Sequence, residues 1–519
     1  MTGLRTSLFS MLVLSTACST DFTPQPCGLD SDCATEMVCE QRSAQAVCVP
    51  ATDAPLIIGE SAPVSGANQA LGTAMKLGIK LAFDDKNAAG GIRGRQLQLD
   101  FRDDSYDPDL AATNTKNLVN MQTMTGLTPK CPSTSMTLAG NMGPVATSEL
   151  DRGPNAVLAI LGSVGTATTV RAAPIALETG TVYFGAFTGA STLLRDSTAG
   201  ACAKYIFNVR ASYAQEATAT VEYFKSKGVT NYKNFISFDQ QDSFGQAGYD
   251  GLKMAYLTKI GSFPTNLPDP TTPIARFRYV RNDDSSVPLQ VTLTETNALK
   301  QILLADMTSP VITVGIMMTD TYGAATTYIQ MLRTWQWDGA TDSDNIPPAS
   351  KQRLRMIFSN VSFVGPNQLA INLHNLPRVP GAVANPTTGD DGTFTSNVVV
   401  SQVVPNYQSD SSDVVTSYNN LIAHANPPAT PTFTSLEGYV AARVFIAGLE
   451  AHKGPFTADS LVTAFESLPD LGLGIGATSG FSKTNHQYST SVWGTSLLPD
   501  GSFKNLYFWT DGSPIMFPE

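Results

Sequence analysis

The chain has 519 residues, a formal net charge of -11 and only 15% charged residues. This length exceeds what one hydrophobic core usually supports, so we expect at least two folded units. A nucleic-acid-binding protein needs a basic face to neutralise phosphates, and an acidic chain with few charges does not supply one. No stretch after the amino terminus reaches the roughly 18 apolar residues of a membrane span.

The first 18 residues have the pattern of an export signal. Arg5 precedes a short apolar run, residues 8–14, which is followed by Ser15-Thr-Ala17 and then by Cys18. The run is too short to span a bilayer, and the small residues are typical of a cleavage site. The segment resembles a bacterial lipoprotein signal, in which the cysteine becomes the lipidated first residue, although Ser15 stands where such signals usually have leucine. The alternative is an ordinary signal peptide cut near Ala17, which leaves Cys18 without a lipid.

Six cysteines remain after Cys18, and an even number favours disulfide bonds in an oxidising compartment. Four of them crowd into one short segment: Cys27, Cys33, Cys39 and Cys48. Because this segment has no room for a hydrophobic core, we expect two disulfide bonds, whose connectivity the spacing does not fix. A zinc site is the alternative, but no histidine lies nearby and the paired C-x-x-C spacing is absent. The last two, Cys131 and Cys202, are candidates for a third disulfide.

Residues 55–108 contain a strand, a loop, a helix and a second strand in succession. A short apolar run ends in a loop of small residues, after which Leu71, Met75 and Ile79 recur at helical spacing. Glycines 90 and 91 end the helix, and alternating apolar residues then predict the second strand. Such a unit implies a parallel sheet, whose ligands lie beyond the carboxyl ends of the strands. The loop up to Leu71 is therefore a candidate wall of a ligand site.

Strands and helices continue to alternate to the end of the chain, which predicts doubly wound α/β sheets. The predicted strands are residues 157–161, 181–184, 234–238, 311–314, 355–358 and 397–404, and the clearest helices are residues 213–227, 322–335 and 436–452. Two proline-rich segments, residues 264–288 and 376–393, are predicted to be long surface loops.

The order of several motifs resembles the branched-chain amino-acid (leucine/isoleucine/valine) type of periplasmic substrate-binding protein that serves ABC transporters. The first three motifs are Ala62-Pro-Val-Ser-Gly66, Asn87-Ala-Ala-Gly-Gly-Ile-Arg-Gly94 and Arg102-Asp-Asp-Ser-Tyr-Asp-Pro108. Seven more follow in the family's order: Leu161-Gly-Ser-Val-Gly-Thr166, Phe187-Thr-Gly-Ala190, Tyr205-Ile-Phe-Asn-Val-Arg210, Asp239-Gln-Gln-Asp-Ser-Phe-Gly245, Ser362-Phe-Val-Gly365, Gln402-Val-Val-Pro405 and Ser435-Leu-Glu-Gly-Tyr439. The resemblance covers nearly the whole chain after residue 55.

This resemblance implies the α/β fold of periplasmic binding proteins of type I, in which two doubly wound Rossmann-like lobes are joined by a hinge that the chain crosses three times. The expected parts are a lipoprotein signal peptide at residues 1–17 and a Cys-rich segment with linker at residues 18–54. The first lobe would comprise residues 55–207 plus 405–485, and the second residues 208–404 plus 486–519.

On the first lobe, two turns are candidate ligand contacts. Gly165 and Thr166 lie where a strand passes into a helix, so that backbone N–H groups can face an anionic group. The resemblance implies that this turn holds the ligand carboxylate, and that the next turn, Ala186-Phe187-Thr188, receives the ligand amine through a carbonyl and a hydroxyl. The alternatives are a helix start capped by Thr166 and a plain turn at a strand end.

On the second lobe, Asp242 and Phe244 match the family segment whose aromatic ring covers the ligand, although Phe244 could equally be a core residue. Met318 and Tyr322 are candidates from a segment that matches the family less well. Ser362 stands where leucine-binding relatives carry a glutamate that pairs with the ligand ammonium group. A hydroxyl cannot supply that charge, which argues against an aliphatic amino acid as ligand.

Catalysis finds little support in the sequence. The four histidines, His374, His424, His452 and His486, are scattered, and no H-E-x-x-H, G-x-S-x-G or P-loop pattern occurs. We therefore expect no enzyme activity, no metal and no cofactor.

The resemblance implies a monomeric solute-binding protein that captures a small polar metabolite, such as an amino acid or a related amide or acid, and delivers it to an ABC permease complex in the inner membrane. We expect it in the periplasm, held at a membrane by its lipid alone and without a nucleic-acid partner. The alternative is a ligand-sensing lipoprotein that signals to a membrane receptor or kinase, because one fold serves both uses.

Overall fold

A computed structural model describes residues 25–42, 45–50, 55–123, 150–152, 156–190, 203–267, 269–290, 296–341, 346–476 and 480–518. The signal segment with Cys18, and the proposed pair Cys131 and Cys202, lie outside the described residues. Within them, no helix is both long enough and apolar enough to cross a membrane.

The Cys-rich segment folds into an antiparallel hairpin of strands β1 (Met37–Arg42) and β2 (Gln45–Pro50). Two disulfide bonds, Cys27–Cys39 and Cys33–Cys48, cross-link it. The expected framework of two disulfides is therefore confirmed, and the structure supplies the connectivity that the spacing left open. The hairpin is attached to the body of the protein by an ion pair in which Glu40 lies 2.9 Å from Arg95.

The remaining strands are β3 (Leu56–Ala62), β4 (Leu97–Asp103), β5 (Met121–Thr123), β6 (Leu150–Arg152), β7 (Ala159–Leu161), β8 (Val182–Phe184), β9 (Ile206–Phe207), β10 (Phe235–Gln240), β11 (Ala275–Tyr279), β12 (Ile312–Thr319), β13 (Leu354–Asn360), β14 (Val398–Gln402), β15 (Val492–Leu497) and β16 (Phe503–Trp509).

The helices are α1 (Gln69–Ala88), α2 (Pro108–Leu118), α3 (Thr166–Glu178), α4 (Tyr213–Ser226), α5 (Ser243–Lys259), α6 (Val287–Gln290), α7 (Thr296–Ala305), α8 (Tyr322–Trp337), α9 (Pro348–Lys351), α10 (Pro366–His374), α11 (Asp413–Ala423), α12 (Phe433–Ala451) and α13 (Ala458–Glu466).

The first lobe is built on a parallel five-stranded sheet in the order β4-β3-β7-β8-β9. Helix α1 packs against α12, which comes from far along the chain. This packing is close because Gly78 faces the α12 backbone: a Cβ at Gly78 would lie 1.9 Å from the carbonyl oxygen of Ser435. Glycine at this crossing joins the two distant segments into one lobe.

The second lobe is built on a seven-stranded sheet in the order β11-β10-β12-β13-β14-β15-β16, which is parallel as far as β14 and antiparallel beyond it. Residues 264–288 were expected to form one long loop, and this is wrong, since β11 lies within them. Its charged residues hide the strand from an apolar pattern: Arg276 and Arg278 both reach the buried carboxylate of Asp239. Charged side chains of this kind are common on edge strands.

The chain passes between the lobes repeatedly. After β9 it builds β10 to β14, returns to the first lobe in α11 to α13, and ends in β15 and β16. Two hydrogen bonds join the chain where it crosses between the lobes. Asn208 donates its backbone N–H to the carbonyl of His486, and its own carbonyl accepts the N–H of Tyr488, each at 2.8 Å. The two-lobed α/β fold is thus confirmed, whereas the residue boundaries given for the lobes stay a prediction.

Candidate ligand-binding site

The carboxyl ends of the two parallel sheets face each other, and side chains from both lobes meet there. Tyr322 donates its hydroxyl to the carbonyl of Ala67. Asn68 donates its side-chain amide to Asn282 at 2.9 Å. We call the region between these sheet ends the cleft. These contacts join the two lobes across it, so the structure represents a closed form.

The glycine turn of the first lobe lies at the cleft. Gly165 has a φ of 102° and is the N-cap of α3, with no side-chain cap. A Cβ at Gly165 would lie 2.5 Å from the ring of Tyr106, so both the backbone and the packing require glycine. The suggestion that Thr166 caps the helix is therefore wrong, because Thr166 is the first residue inside it.

The two predicted turns of the first lobe are held together. The Thr166 and Thr188 hydroxyl oxygens lie 2.7 Å apart and both residues are buried. The backbone N–H of Gly165 donates to the Phe187 carbonyl at 3.1 Å, and the Ala186 carbonyl accepts the N–H of Thr188 at 2.8 Å. The structure brings these five residues together, and in this closed form their polar groups bond one another. Their contact with a ligand stays a prediction.

Aromatic rings occupy the middle of the cleft. Phe363 lies 4.8 Å from Phe244, 4.9 Å from Phe187 and 6.1 Å from Tyr106, measured between ring centroids. Phe244 and Phe363 come from the second lobe, and the other two rings come from the first. Phe244 is fully buried and packs on Phe363, as the alternative of a packed residue expects, and its role in covering a ligand stays a prediction. The rings give the cleft an apolar centre.

A network of buried charges lies at the hinge, and we call Arg210, Glu216, Glu437 and Ser362 the hinge charge cluster. Arg210 lies 2.8 Å from Glu216 of α4 and 3.2 Å from Glu437 of α12, so it bridges the lobes. Burial lowers the pKa of Arg210, but the carboxylates of Glu437 and Glu216 outweigh this and the pKa is raised.

Ser362 belongs to this cluster. Its backbone N–H donates to Glu216 at 2.7 Å, and its hydroxyl contacts Glu216 and Arg210. The polar groups of Ser362 therefore bond to protein charges in the closed form.

Asp242 is the N-cap residue of helix α5. Its carboxylate accepts the N–H groups of Phe244 and Gly245, at 2.8 and 3.4 Å, and an N–H of the Gln240 side chain at 2.6 Å. Burial raises the pKa of Asp242, while Arg281 and these hydrogen bonds oppose the shift. Asp242 thus has a capping role that fixes Phe244 in the cleft.

Leu71 and Tyr322, one from each lobe, lie on either side of Gly365. A Cβ at Gly365 would lie 2.8 Å from Leu71 Cδ2 and 2.9 Å from Tyr322 Cδ1. Met318 pairs in register with Phe238, whose ring stacks on Tyr328 of α8. Because partners in register share a face of the sheet, Met318 faces α8 behind the cleft.

Two carboxyl groups near the sheet ends were not predicted from the sequence. Asp104 accepts hydrogen bonds from the Ser61 hydroxyl at 2.8 Å and the Tyr106 N–H at 2.9 Å, and burial raises its pKa to about 7. Asp320 is fully buried in the connection between β12 and α8. The rule that ligands bind beyond the carboxyl ends of strands could have indicated both.

Phe363 and Arg210 were also missed as cleft and hinge residues, although both lie inside motifs that carried the family resemblance. Neither a single phenylalanine nor a single arginine in a sequence shows that it will be central to a packed cluster.

Two sequence comparisons show which proteins the chain is similar to. The profile of the family described as "Periplasmic binding protein" matches residues 55–141 and 154–350, which is more than half of the chain. A Leu/Ile/Val-binding protein homolog of Brucella abortus is 38% identical over 55 residues, and the matched stretch spans 15% of that protein and 11% of this chain.

Solved structures agree over most of the length. A possible leucine/isoleucine/valine-binding protein from Rhodopirellula baltica is 27% identical, with a TM-score of 0.62 over 88% of this chain and 98% of that one. A branched-chain amino acid transporter substrate-binding protein from Streptococcus pneumoniae, in complex with isoleucine, is 15% identical with a TM-score of 0.56 over 90% and 100%. A fatty acid ABC transporter substrate-binding protein from Thermomonospora curvata is 14% identical with a TM-score of 0.60 over 90% and 94%. The chain is thus a member of the periplasmic binding protein family, a class of extracytoplasmic solute-binding proteins.

Proposed function

We propose that the protein captures a small polar metabolite in the cleft, closes its two lobes around it and delivers it to an ABC importer. The observation that carries this proposal is the meeting of side chains from both lobes at the carboxyl ends of two parallel sheets, where this architecture binds ligands. Closure would be of the hinge type, in which the ligand adds contacts to both lobes and shifts an equilibrium between open and closed forms.

The cleft favours a ligand with both polar and apolar parts. The turns at Thr166 and Thr188 supply hydroxyl and backbone polar groups, while the rings of Phe187, Phe244 and Phe363 supply an apolar surface. An amino acid or a related amide or acid has this character. The arrangement of Ser362 in the hinge charge cluster supports a ligand other than a standard aliphatic amino acid.

Ligand identity can be tested directly. Mass spectrometry of small molecules released from the natively purified protein should identify a bound metabolite. Thermal-shift screening of amino acids, polyamines, amides, urea-like compounds and organic acids should then raise the melting temperature. At a hundredfold excess over its Kd, a ligand stabilises the folded state by about 2.7 kcal/mol. A panel without any shift would contradict the proposal.

Delivery to an importer is a separate step and needs its own test. Permease genes beside this one would favour transport. Expressed with the protein, an ABC permease of this kind should support uptake of the identified ligand, and uptake should be lost without the binding protein. Ligand binding without uptake, together with activation of a neighbouring receptor or kinase, would instead establish sensing.

We further propose that the mature protein is a monomer anchored to a membrane through a lipid on Cys18. A Cys18→Ala variant should move to the soluble periplasmic fraction and keep its ligand affinity, because the anchor precedes both lobes. A matched Ser15→Leu variant should remain in the membrane fraction. Membrane association of Cys18→Ala at the wild-type level would overturn the anchor, and light scattering of the soluble variant tests the monomer.

A further inference from the structure

Asp320 lies at the edge of the second sheet that faces the first lobe. It follows the last residue of β12, and two residues later Tyr322 donates its hydroxyl to Ala67 of the first lobe. The next residue, Thr321, donates its N–H to the hydroxyl of Tyr279 at 3.1 Å, and that hydroxyl donates to Gln240 at 3.0 Å. The side-chain amide of Gln240 lies 3.5 Å from the hydroxyl of Tyr106, which belongs to the first lobe. Asp320 therefore stands among the residues that join the lobes.

The carboxyl group of Asp320 is fully buried. The residue has 0% exposure, and neither of its carboxylate oxygens has a hydrogen-bond partner among the described residues. Burial raises its pKa well above the ordinary value, and the nearby charged groups that add to the shift, Asp284 and Asp239, are carboxyls themselves.

These two neighbours differ in their own surroundings. Asp239 is neutralised by Arg276 and Arg278, at 2.7 and 3.0 Å. Asp284 lies against the first turn of α8, where a Cβ at Gly323 would lie 2.0 Å from its Oδ2 atom. Asp320 thus has two carboxyl groups in its surroundings, and among the described residues no cation contributes to the shift of its pKa.

Glu60 is another buried carboxyl, and it differs from Asp320 in its charged neighbours. The carboxylate oxygens of Glu60 also lack hydrogen-bond partners within the described part of the chain, and burial raises the pKa of Glu60 as well, but Lys76 opposes that shift. Glu60 thus has a cation nearby, on helix α1 of the same lobe. Asp320 is different because the charged groups that shift its pKa, Asp284 and Asp239, are both carboxyls.

We propose that Asp320 binds a cationic nitrogen group of the ligand, an ammonium, amidinium or guanidinium group, with Asp284 adding to the negative potential. A buried carboxylate is costly unless it is paired, and a charged N–H donor is the group that removes this cost. The ligand class is therefore a small metabolite that carries a positive nitrogen. This inference rests on the proposed function, because it assigns a role within the same cleft.

The test uses the full chain, calorimetry and pairs of compounds that differ in the charged nitrogen. L-arginine is compared with L-citrulline, L-leucine with 4-methylpentanoate, and putrescine with 1,4-butanediol. The variant is Asp320→Asn, which keeps the shape and removes the charge. The control is Asp338→Asn, which makes the same charge change at the exposed far end of α8.

We expect wild-type protein to bind at least one cationic member and to reject its uncharged partner at that position. Affinity for that compound should fall roughly 10- to 100-fold in Asp320→Asn and stay unchanged in Asp338→Asn. Without ligand, the melting temperature of Asp320→Asn should equal or exceed that of the wild type, because a neutral amide replaces an unpaired carboxyl. A residue with a merely structural role would lower the melting temperature instead.

Two results would overturn the inference. If Asp320→Asn binds a cationic compound as tightly as the wild type, or if the uncharged partners bind equally well, Asp320 does not bind a cation while the solute-binding function stands. If neither these pairs nor the wider metabolite panel binds to the wild type, the proposed function fails as well.

Discussion

The hinge charge cluster and the Asp320 connection are both fully buried and both carry carboxylates, yet they are satisfied in opposite ways. At the hinge, Arg210 bonds Glu216 and Glu437, and Glu216 also accepts the N–H of Ser362 and the hydroxyl of Ser401. At Asp320, neither carboxylate oxygen has a partner within the described part of the chain.

The difference separates two uses of buried charge. A buried ion pair whose remaining atoms are hydrogen-bonded holds elements in one arrangement, and at the hinge these elements belong to different lobes. A buried carboxyl without a partner weakens the folded state unless it is protonated or a ligand pairs with it. The paired charges of the hinge therefore stabilise the closed form, whereas an unpaired carboxyl such as Asp320 is suited to binding a cationic ligand.

The largest effect should come from breaking the paired region. Arg210→Met leaves Glu216 and Glu437 buried without their cation, and we expect a loss of about 3–5 kcal/mol in the free energy of unfolding. Urea denaturation measures it. The control Arg171→Met removes an exposed pair with Asp109 and should cost less than about 1 kcal/mol. An equal, small loss in both variants would show that the cluster does not stabilise the protein.

Asp104 is a third buried carboxyl, and the pH dependence of protein stability measures the effect of its burial. Its folded pKa is about 7, against an ordinary value of 3.8, so the unfolded chain releases this proton first. This group's contribution should destabilise the fold progressively as pH rises from about 4 to about 7, by up to about 4 kcal/mol, and change little above that. Asp104→Asn should remove this part of the pH profile in urea denaturation at several pH values. Identical profiles for variant and wild type would contradict the assignment.

The hydroxyl groups of Thr166 and Thr188 form a further buried polar pair, and breaking it should have a smaller effect. Thr188→Val leaves the Thr166 hydroxyl without its partner, and if the pair also contacts ligand, the cost is about 1–3 kcal/mol, or one to two orders of magnitude in Kd. Thr166→Val should behave alike, and Phe244→Ala should also weaken binding. Calorimetry should show wild-type affinity for Thr326→Val, which lies farther along α8. Wild-type affinity in both cleft threonine variants would mean that the pair only joins two turns.

The smallest effect concerns the contact between the two lobes at Gly365. Gly365→Ala places a methyl group against Leu71 and Tyr322 at a φ of +78°, and we expect a loss of about 1–2 kcal/mol in unfolding free energy together with weaker ligand binding. Gly228→Ala is the matched control, because its φ is +87° and a methyl group there meets no atom within 4 Å. The control should lose stability but keep affinity. Equal affinity in both variants would show that this contact does not affect closure.

Local pattern alone predicted most of the architecture. The apolar runs and helical spacings correspond to β3, α1, β10, α4 and α12 within a few residues, because each element buries one face at its own period. The motifs also grouped Gly165, Thr166 and Thr188, whose turns the structure brings into contact. The edge strand β11 was not predicted, since its arginines break the apolar pattern and their partner Asp239 lies 37 or more positions away in the sequence.

The sequence by itself therefore determined the fold class, the order of the elements, the Cys-rich segment and the sheet edge that forms the cleft, because each follows from short-range periodicity and motif order. Only the tertiary structure decided which side chains meet. The hinge cluster joins Arg210 to Glu437 across 227 positions, and the rings of Tyr106 and Phe363 come from different lobes. Whether a buried charge such as Asp320 has a partner depends on every element packed around it, and this packing is settled only when the whole chain has folded.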